Sequence, residues 1–163
     1  MKAVVVYESL WGNTGAIARA IAEGIGPEAE ARSTADVAPE AAAEADLLVA
    51  GAPLQAFSLP TARIRNSITA DSGPSPDLSA PTLRSWLERL PAGRGGYAAF
   101  DTKLRWSPGS AANVIDEELT RAGFKTLARP QHFVVAGKFG PLKDGEIERA
   151  RTWGRELAAA ARG

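Results

Sequence analysis

The residues best suited to bind a ligand follow the first apolar run of the chain. Residues 8–14 read ESLWGNT and precede a segment with helical spacing. Amide groups at a helix start are unpaired and lie at the positive end of the helix dipole. Gly12 permits a sharp turn of the backbone there. Ser9, Asn13 and Thr14 add side-chain donors, so the loop predicts a site for a phosphate group. The same residue types also cap helices, and that interpretation stays open.

This loop lacks the residues that move a phosphoryl group. A nucleoside-triphosphatase loop would read G-x-x-x-x-G-K-[ST], but residues 8–14 contain no lysine. The dinucleotide fingerprint G-x-G-x-x-G is missing as well. Arg19 is the nearest downstream cation, and it lies too far along the predicted helix to be assumed a ligand. The loop therefore suits the anchoring of a bound cofactor through neutral dipoles.

Composition disfavours most other kinds of catalytic site. The 163 residues include no cysteine, which excludes disulfides, thiol nucleophiles and iron–sulfur ligation. His132 is the only histidine, so histidine-built metal sites and Ser-His-Asp triads are disfavoured. Nineteen basic residues balance nineteen acidic ones, which gives no general attraction to nucleic acid or to an anionic membrane. Glu8 interrupts the first apolar run too early for a signal peptide, and no apolar run is long enough to span a bilayer. We expect a cytoplasmic protein that binds neither nucleic acid nor membrane.

Strand and helix patterns alternate along the sequence. Short β-rich runs predict five strands, at residues 2–7, 29–33, 47–51 and 96–100 and within residues 126–137, most securely at 133–136. Helical patterns lie between and after them, at residues 17–25, 39–45, 64–68, 83–90, 111–122 and 144–161. The composition of residues 69–79 predicts an exposed loop. The alternation predicts one α/β domain over residues 1–163, with a doubly wound, five-stranded parallel sheet and helices on both faces. Ligands of such sheets bind at the carboxyl ends of the strands, so the loops after Tyr7, Gly51 and Phe100 are the candidate sites.

The first loop and its helix resemble the phosphate loop of the flavodoxin family. The segment YESLWGNT at residues 7–14 leads into Ile17-Ala18 and Ala20-Ile21. The likeness continues in the segments Gly51-Ala52-Pro53, Phe100-Asp101-Thr102 and Gly140-Pro141-Leu142. The resemblance implies the strand order 2-1-3-4-5 of flavodoxin itself, with FMN at the switch point. It also implies that the FMN phosphate would be bound by the first loop, through Ser9, Leu10, Trp11, Gly12, Asn13 and Thr14.

The resemblance further implies two loops that flank the flavin ring. One contains Pro53, Leu54, Gln55, Ala56 and Phe57, and the other contains Phe100, Asp101, Thr102 and Lys103, followed by Leu104. A flat heteroaromatic ring needs apolar walls and a few polar contacts. Trp11, Phe57 and Trp106 are candidate walls, with ordinary packing preferred for the last two.

Three side chains near these loops have more than one interpretation. Asp101 would accept a hydrogen bond from the flavin N3–H or cap a local turn. Lys103 and Arg105 would be solvated, or would pair with the reduced cofactor or with a partner. His132 lies beside a predicted strand and, away from the three loops, is interpreted as structural.

This sequence departs from the flavodoxin pattern in three respects. Electron-carrying flavodoxins are usually strongly acidic, which attracts a basic partner, whereas this chain is neutral. They usually have a glycine beside flavin N5, where this chain has Gln55 or Ala56, and an aromatic residue where it has Leu104. A positive φ at a non-glycine residue costs about 1–2 kcal/mol. That cost would weaken one-electron reduction without affecting FMN binding.

Three functions therefore stay open. The preferred one is an FMN-binding electron carrier that serves a redox partner protein or a small-molecule electron acceptor. The second is an FMN-dependent oxidoreductase on the same fold, acting with NAD(P)H and quinones or on protoporphyrinogen, for which the neutral charge argues. The third is a cofactor-free scaffold. A response-regulator receiver is disfavoured because Glu8 follows the first strand without a second acid, and no aspartate follows the third.

Overall fold

Strands and helices alternate through the structure, as the sequence predicts. The computed structural model describes residues 1–68 and 74–163, so the part of the predicted loop at residues 69–73 lies outside the described residues. In chain order, the described elements are β1 (Ala3–Tyr7), α1 (Asn13–Ile25), β2 (Ala29–Ser33), α2 (Pro39–Ala42), β3 (Leu47–Pro53), α3 (Ala62–Asn66), α4 (Leu83–Glu88), β4 (Gly96–Leu104), α5 (Ala111–Arg121), β5 (Lys125–Thr126), β6 (Gln131–Val135) and α6 (Glu146–Arg162).

The strands form one parallel sheet in the order β2-β1-β3-β4-β5, and β6 also pairs with β4. Gly96 pairs with Lys125 and Phe100 pairs with Gln131, so the outer strand advances six residues while β4 advances four. Pro130, which has no amide hydrogen, lies in the segment that leaves the ladder. The predicted parallel sheet and its order are confirmed, with the fifth strand divided into two short ones.

Helices cover both faces of the sheet. Because successive strand side chains point to opposite faces, Val5 and Val49 pack under α1 and α6, while Leu48 and Ala50 pack under α4 and α5. The predicted inward stripe of α1 is confirmed, since Ile17, Ile21 and Ile25 are all buried. In residues 1–68 and 74–163, no helix is both long enough and apolar enough to cross a membrane.

β4 is longer than the sequence predicts. It continues through Asp101, Thr102 and Lys103 to Leu104, so these residues belong to a strand and not to a loop. The extension is possible because β3 also continues to Pro53, which pairs with Thr102. The prediction relied on apolar runs, and the polar side chains of Asp101, Thr102 and Lys103 end such a run, so the extension was not predicted.

Candidate functional site

The carboxyl ends of β1, β3 and β4 border a narrow cleft, open to solvent along one side. Nine of the fifteen predicted site residues line it: Leu10, Trp11, Asn13, Thr14, Pro53, Leu54, Gln55, Thr102 and Lys103. Two others, Ser9 and Gly12, lie on the other side of the first loop, in a neighbouring pocket that Arg19 also lines. The remaining four, Ala56, Phe57, Phe100 and Asp101, do not line the cleft.

Ser9 organises the turn that precedes α1. Its hydroxyl oxygen accepts hydrogen bonds from the amides of Gly12, at 3.1 Å, and Gly15, at 3.2 Å. Gly12 occupies the N-cap position with a φ of 94°, a left-handed conformation that favours glycine, and having no side chain it cannot cap the helix itself. The Ser9 hydroxyl therefore replaces a conventional N-cap, and its hydrogen remains available to donate outward.

Several amides of this loop have no acceptor within the part of the chain that the structure describes. They belong to Leu10, Trp11, Asn13 and Thr14. Unpaired amides at a helix start form an anion site, because the helix dipole adds to their partial charges. The loop therefore keeps the donors that the sequence predicts for a phosphate.

The side chains of this loop tie it to other elements. Thr14 and Thr102 share a buried hydrogen bond between their hydroxyl groups, at 2.8 Å, which joins α1 to β4. Asn13 donates through Nδ2 to the carbonyl of Phe139, at 3.3 Å. Trp11 meets the Phe139 ring edge-on, with ring centroids 5.1 Å apart, and its Nε1 donates to the Pro74 carbonyl at 2.9 Å. Trp11 is thereby fixed as one wall of the cleft.

A strained two-residue hairpin follows β3. The Gln55 and Ser58 backbones exchange two hydrogen bonds of 3.0 Å, while Ala56 and Phe57 have positive φ values of 47° and 67°. Two successive left-handed residues are typical of a type I′ turn, which usually contains asparagine or glycine. The sequence predicts strain at Ala56 only if a peptide flips, whereas here the left-handed conformation is already present.

Asp101 is buried beneath the cleft, on the α5 face of the sheet. One carboxylate oxygen accepts from the Ala112 amide, at 3.0 Å, and from the Ser110 hydroxyl, at 3.3 Å. The other lies 2.8 Å from Nδ1 of His132. Of the two interpretations of this side chain, the local cap is therefore the one whose hydrogen bonds are present. Phe100 is also fully buried. Because His132 contacts Asp101, the expectation that His132 lies away from the three predicted loops is wrong.

Three residues that line the cleft were not predicted from the sequence: Ser107, Val135 and Lys138. Val135 and Lys138 come from the end of β6 and the segment after it. The sequence could have predicted the last two, because the carboxyl end of the fifth strand lies at the same sheet edge as the ends of β1 and β3. Besides the predicted Lys103, two further cations lie near the first loop, Lys138 in the cleft and Arg19 in the neighbouring pocket; that the loop itself binds a phosphate through neutral groups stays a prediction.

A charged cluster lies behind the first loop. Glu8 is 1% exposed; one of its carboxylate oxygens accepts from the Leu83 amide at 2.8 Å, and the other lies 3.7 Å from Arg65. Burial raises the pKa of this carboxyl, although the Leu83 amide and the Arg65 and Arg84 guanidinium groups oppose the rise. Glu8 ties β1 to α3 and α4 and does not line the cleft. Within residues 1–68 and 74–163, no group of three or more histidines or acids could hold a metal ion.

Comparison of the sequence with family models and with curated proteins gives no match. Solved structures match over the whole chain. A flavodoxin from the domain Archaea is 24% identical, with all of both chains covered and a TM-score of 0.71. The flavodoxin of Streptococcus pneumonia TIGR4 is 16% identical over 98% of this chain and 99% of that one, with a TM-score of 0.70.

A third match is part of a larger protein. The rubredoxin oxygen:oxidoreductase of Desulfovibrio gigas is 22% identical over 99% of this chain, with a TM-score of 0.70. Only 36% of that protein is covered, so this chain spans about a third of its length. At these identities, the three matches establish the fold and leave the ligand to be argued from the site.

Proposed function

We propose that residues 1–163, a chain with the flavodoxin-like fold, form one domain that binds FMN non-covalently and carries electrons to a partner. The observation that carries the proposal is the set of amides at the start of α1 that have no acceptor among residues 1–68 and 74–163, those of Leu10, Trp11, Asn13 and Thr14. These amides border a cleft with apolar walls, so a phosphate and a flat ring attached to it have adjacent sites.

The residues of the cleft suit the two parts of FMN. The four amides, the Ser9 hydroxyl and the Nδ2 hydrogen of Asn13 that is not donated to Phe139 would hold the phosphate. Trp11, Leu54 and Leu104 offer apolar surface to the ring, and Thr102 offers a polar contact beside it. When bound, FMN supplies electron-transfer chemistry that no side chain of this protein has. The protein would bind and orient the cofactor, and its apolar walls would exclude water from one side.

One observation favours a second function, an FMN-dependent oxidoreductase that acts with NAD(P)H or quinones. Lys103 and Lys138 line the cleft, and no acidic residue in the described part of the chain does so. Two cations lower the cost of holding negative charge in the cleft, which favours two-electron chemistry over one-electron transfer. The open side of the cleft would admit a small substrate.

Binding measurements test the phosphate site. We expect wild-type protein to retain one FMN at micromolar concentration. A Ser9→Ala, Asn13→Ala double variant should bind FMN at least about tenfold more weakly, since it loses charge-assisted hydrogen bonds to a phosphate. Its affinity for riboflavin, which has no phosphate, should change by less than about threefold. Thr14 is left intact because its hydrogen bond to Thr102 is buried and joins α1 to β4.

Ser107→Ala is the matched control, because Ser107 lines the cleft from a different segment. It should change FMN and riboflavin affinity by the same factor. If the double variant weakens both ligands equally, the phosphate assignment is wrong. If wild-type protein retains no FMN at all, both redox functions are wrong and a cofactor-free scaffold remains.

A reductive titration of the FMN-loaded protein separates the two redox functions. Uptake of electrons in two resolved steps supports an electron carrier. Uptake of two electrons in one step, together with turnover of NAD(P)H on quinones, supports an oxidoreductase.

A further inference from the structure

Two large aromatic side chains are exposed beside the cleft. Trp106 is 87% exposed and Phe57 is 68% exposed. They lie on neighbouring segments, because a Cβ atom on Gly109 would be only 2.1 Å from the carbonyl oxygen of Phe57. Exposed aromatic residues beside a concave site are typical of anchor residues in protein interfaces.

Three cations lie in the cleft or on the segments that carry these aromatic residues. Lys103 donates to the carbonyl of Gly109, at 3.0 Å, which fixes it beside the Phe57 hairpin. Lys138 lines the cleft from the segment after β6 and is exposed. Arg105 is exposed and directly precedes Trp106. We call Phe57, Trp106, Lys103, Arg105 and Lys138 the rim.

No acid of the described residues offsets the rim charge from within the cleft. Glu146 is near enough to Arg105 for the guanidinium to act on its carboxylate. That carboxylate is already bound by Arg149 and by the amide of Val134. The rim is therefore a positive patch on a chain whose formal net charge is zero.

We propose that the rim docks a redox protein whose own redox centre is surrounded by acidic residues. This inference rests on the proposed function, because docking there brings the partner beside the cleft that would hold FMN. The charge of the rim is opposite to that of the acidic surface of electron-carrying flavodoxins, which attracts basic partners. Lys103, Arg105 and Lys138 steer and select an acidic surface, and Trp106 and Phe57 supply the apolar contact.

A nucleic acid or an anionic membrane suits the rim less well than a compact acidic protein. Stable binding of an extended polyanion requires a track of cations that contacts several phosphates in succession. The rim offers three cations around a concave opening, which matches a convex acidic surface of similar size.

Quenching of Trp106 fluorescence measures the local charge without any flavin. Trp86 and Trp153 are buried and Trp11 is only partly exposed, so Trp106 is the most accessible tryptophan. The quantity compared is the ratio of the iodide quenching constant to the caesium quenching constant at constant ionic strength. We expect this ratio to be at least about twofold higher for Trp106 than for free tryptophan amide, because a positive surface attracts iodide and repels caesium. A Trp106→Phe variant gives the background. A ratio equal to that of free tryptophan amide would show that the rim is not positive, and would overturn the proposal.

Binding of model redox proteins tests the occupant. The probes are a plant-type two-iron ferredoxin, which is acidic, and cytochrome c, which is basic; each is titrated into protein with and without FMN. We expect the ferredoxin to bind, with an affinity that falls at least about tenfold between roughly 20 and 200 mM salt. Cytochrome c should not bind. Trp106→Ala should weaken ferredoxin binding at least about tenfold, as removal of an interface anchor does.

Two charge-reversal variants complete the test. Lys103→Glu, Arg105→Glu, Lys138→Glu should abolish ferredoxin binding. The matched control changes three exposed cations near the opposite sheet edge, Arg89→Glu, Arg94→Glu, Lys125→Glu, and should retain it. Binding of cytochrome c, absence of ferredoxin binding or equal loss in both variants would overturn the proposal. Tighter binding of single-stranded DNA or phosphatidylserine vesicles than of ferredoxin would also overturn it. These titrations need no FMN, so a failure of the proposed function leaves their outcome readable.

Discussion

Gly24 of α1 and Gly154 of α6 lie against each other where the two helices cross. A Cβ atom on Gly154 would be 2.2 Å from the carbonyl oxygen of Ile21, and one on Gly24 would be 2.0 Å from that of Arg151. The two helix backbones are therefore in direct contact, with no space for a side chain between them. Because the first loop leads directly into α1, this contact also helps to position the proposed phosphate site.

We expect Gly154→Ala to lower the free energy of unfolding by about 1–3 kcal/mol, the usual cost of overpacking. The change occurs despite the gain of about 1 kcal/mol in helix propensity, because the added methyl group overlaps backbone that cannot rotate away. Urea unfolding measures the effect. Thr152→Ala, at an exposed position of α6, is the control and should cost little. Stabilisation by Gly154→Ala would contradict the close helix contact.

Local sequence patterns predicted the strands, the helices and the first loop. Ile17, Ile21 and Ile25 report the buried face of α1 because side chains four residues apart share a helix face. Gly12 indicates the turn because few other residues tolerate a left-handed backbone. Ser9 indicates it because few other side chains accept hydrogen bonds from the amides at a helix start. These features depend on neighbours in the chain, which the sequence displays directly.

Features that depend on distant residues were not predictable in the same way. Asp101 looks like a loop acid in the sequence, but the Ala112 amide and His132 make it a buried acceptor. Lys138 reaches the cleft only because β6 ends at the same sheet edge as β1. The left-handed backbone at Ala56 is contrary to local preference and is imposed by the hairpin.

Asp101→Ala should destabilise the protein without a specific effect on flavin binding. It leaves the buried Ala112 amide unpaired, which costs about 1–3 kcal/mol. Riboflavin affinity, measured where the variant is fully folded, should stay within about threefold of wild type. His132→Ala removes only one contact of the same carboxylate and should cost less. A large loss of riboflavin affinity with an unchanged free energy of unfolding would instead support hydrogen bonding of Asp101 to the flavin.

Ala56→Gly should stabilise the protein. A left-handed backbone costs a non-glycine residue about 1–2 kcal/mol, and glycine avoids that cost. Glycine also adds conformational freedom to the unfolded chain, so we expect a net gain of at most about 1 kcal/mol. Thermal and urea unfolding measure it. Ala159→Gly, at an exposed position within α6, is the matched control and should lose about 0.5–1 kcal/mol. An equal loss in both variants would show that Ala56 is unstrained.

Glu8→Gln should change how stability depends on pH. Burial raises the pKa of Glu8 in the folded protein above its ordinary value of 4.5, so the folded state binds this proton more tightly than the unfolded state. Its contribution to stability is therefore fully present below about pH 4.5 and is lost as the pH rises through the folded-state pKa. We compare the free energy of unfolding of wild type with that of Glu8→Gln. The wild-type value minus the variant value should fall, between about pH 4.5 and the folded-state pKa, by at most about 1.4 kcal/mol per pH unit.

Asp77→Asn is a control for which the pH dependence of stability should have the opposite sign. Hydrogen bonds from the Ser79 hydroxyl and amide lower the pKa of Asp77 below its ordinary value of 3.8. Its contribution is thus present above that pH and is lost as the pH falls, which gives a slope of the other sign. Because Asp77 is exposed, this slope should be much smaller. Urea unfolding at a series of pH values measures both differences, and a wild-type minus Glu8→Gln difference that rises with pH would mean that Arg65 and Arg84 outweigh the burial of Glu8.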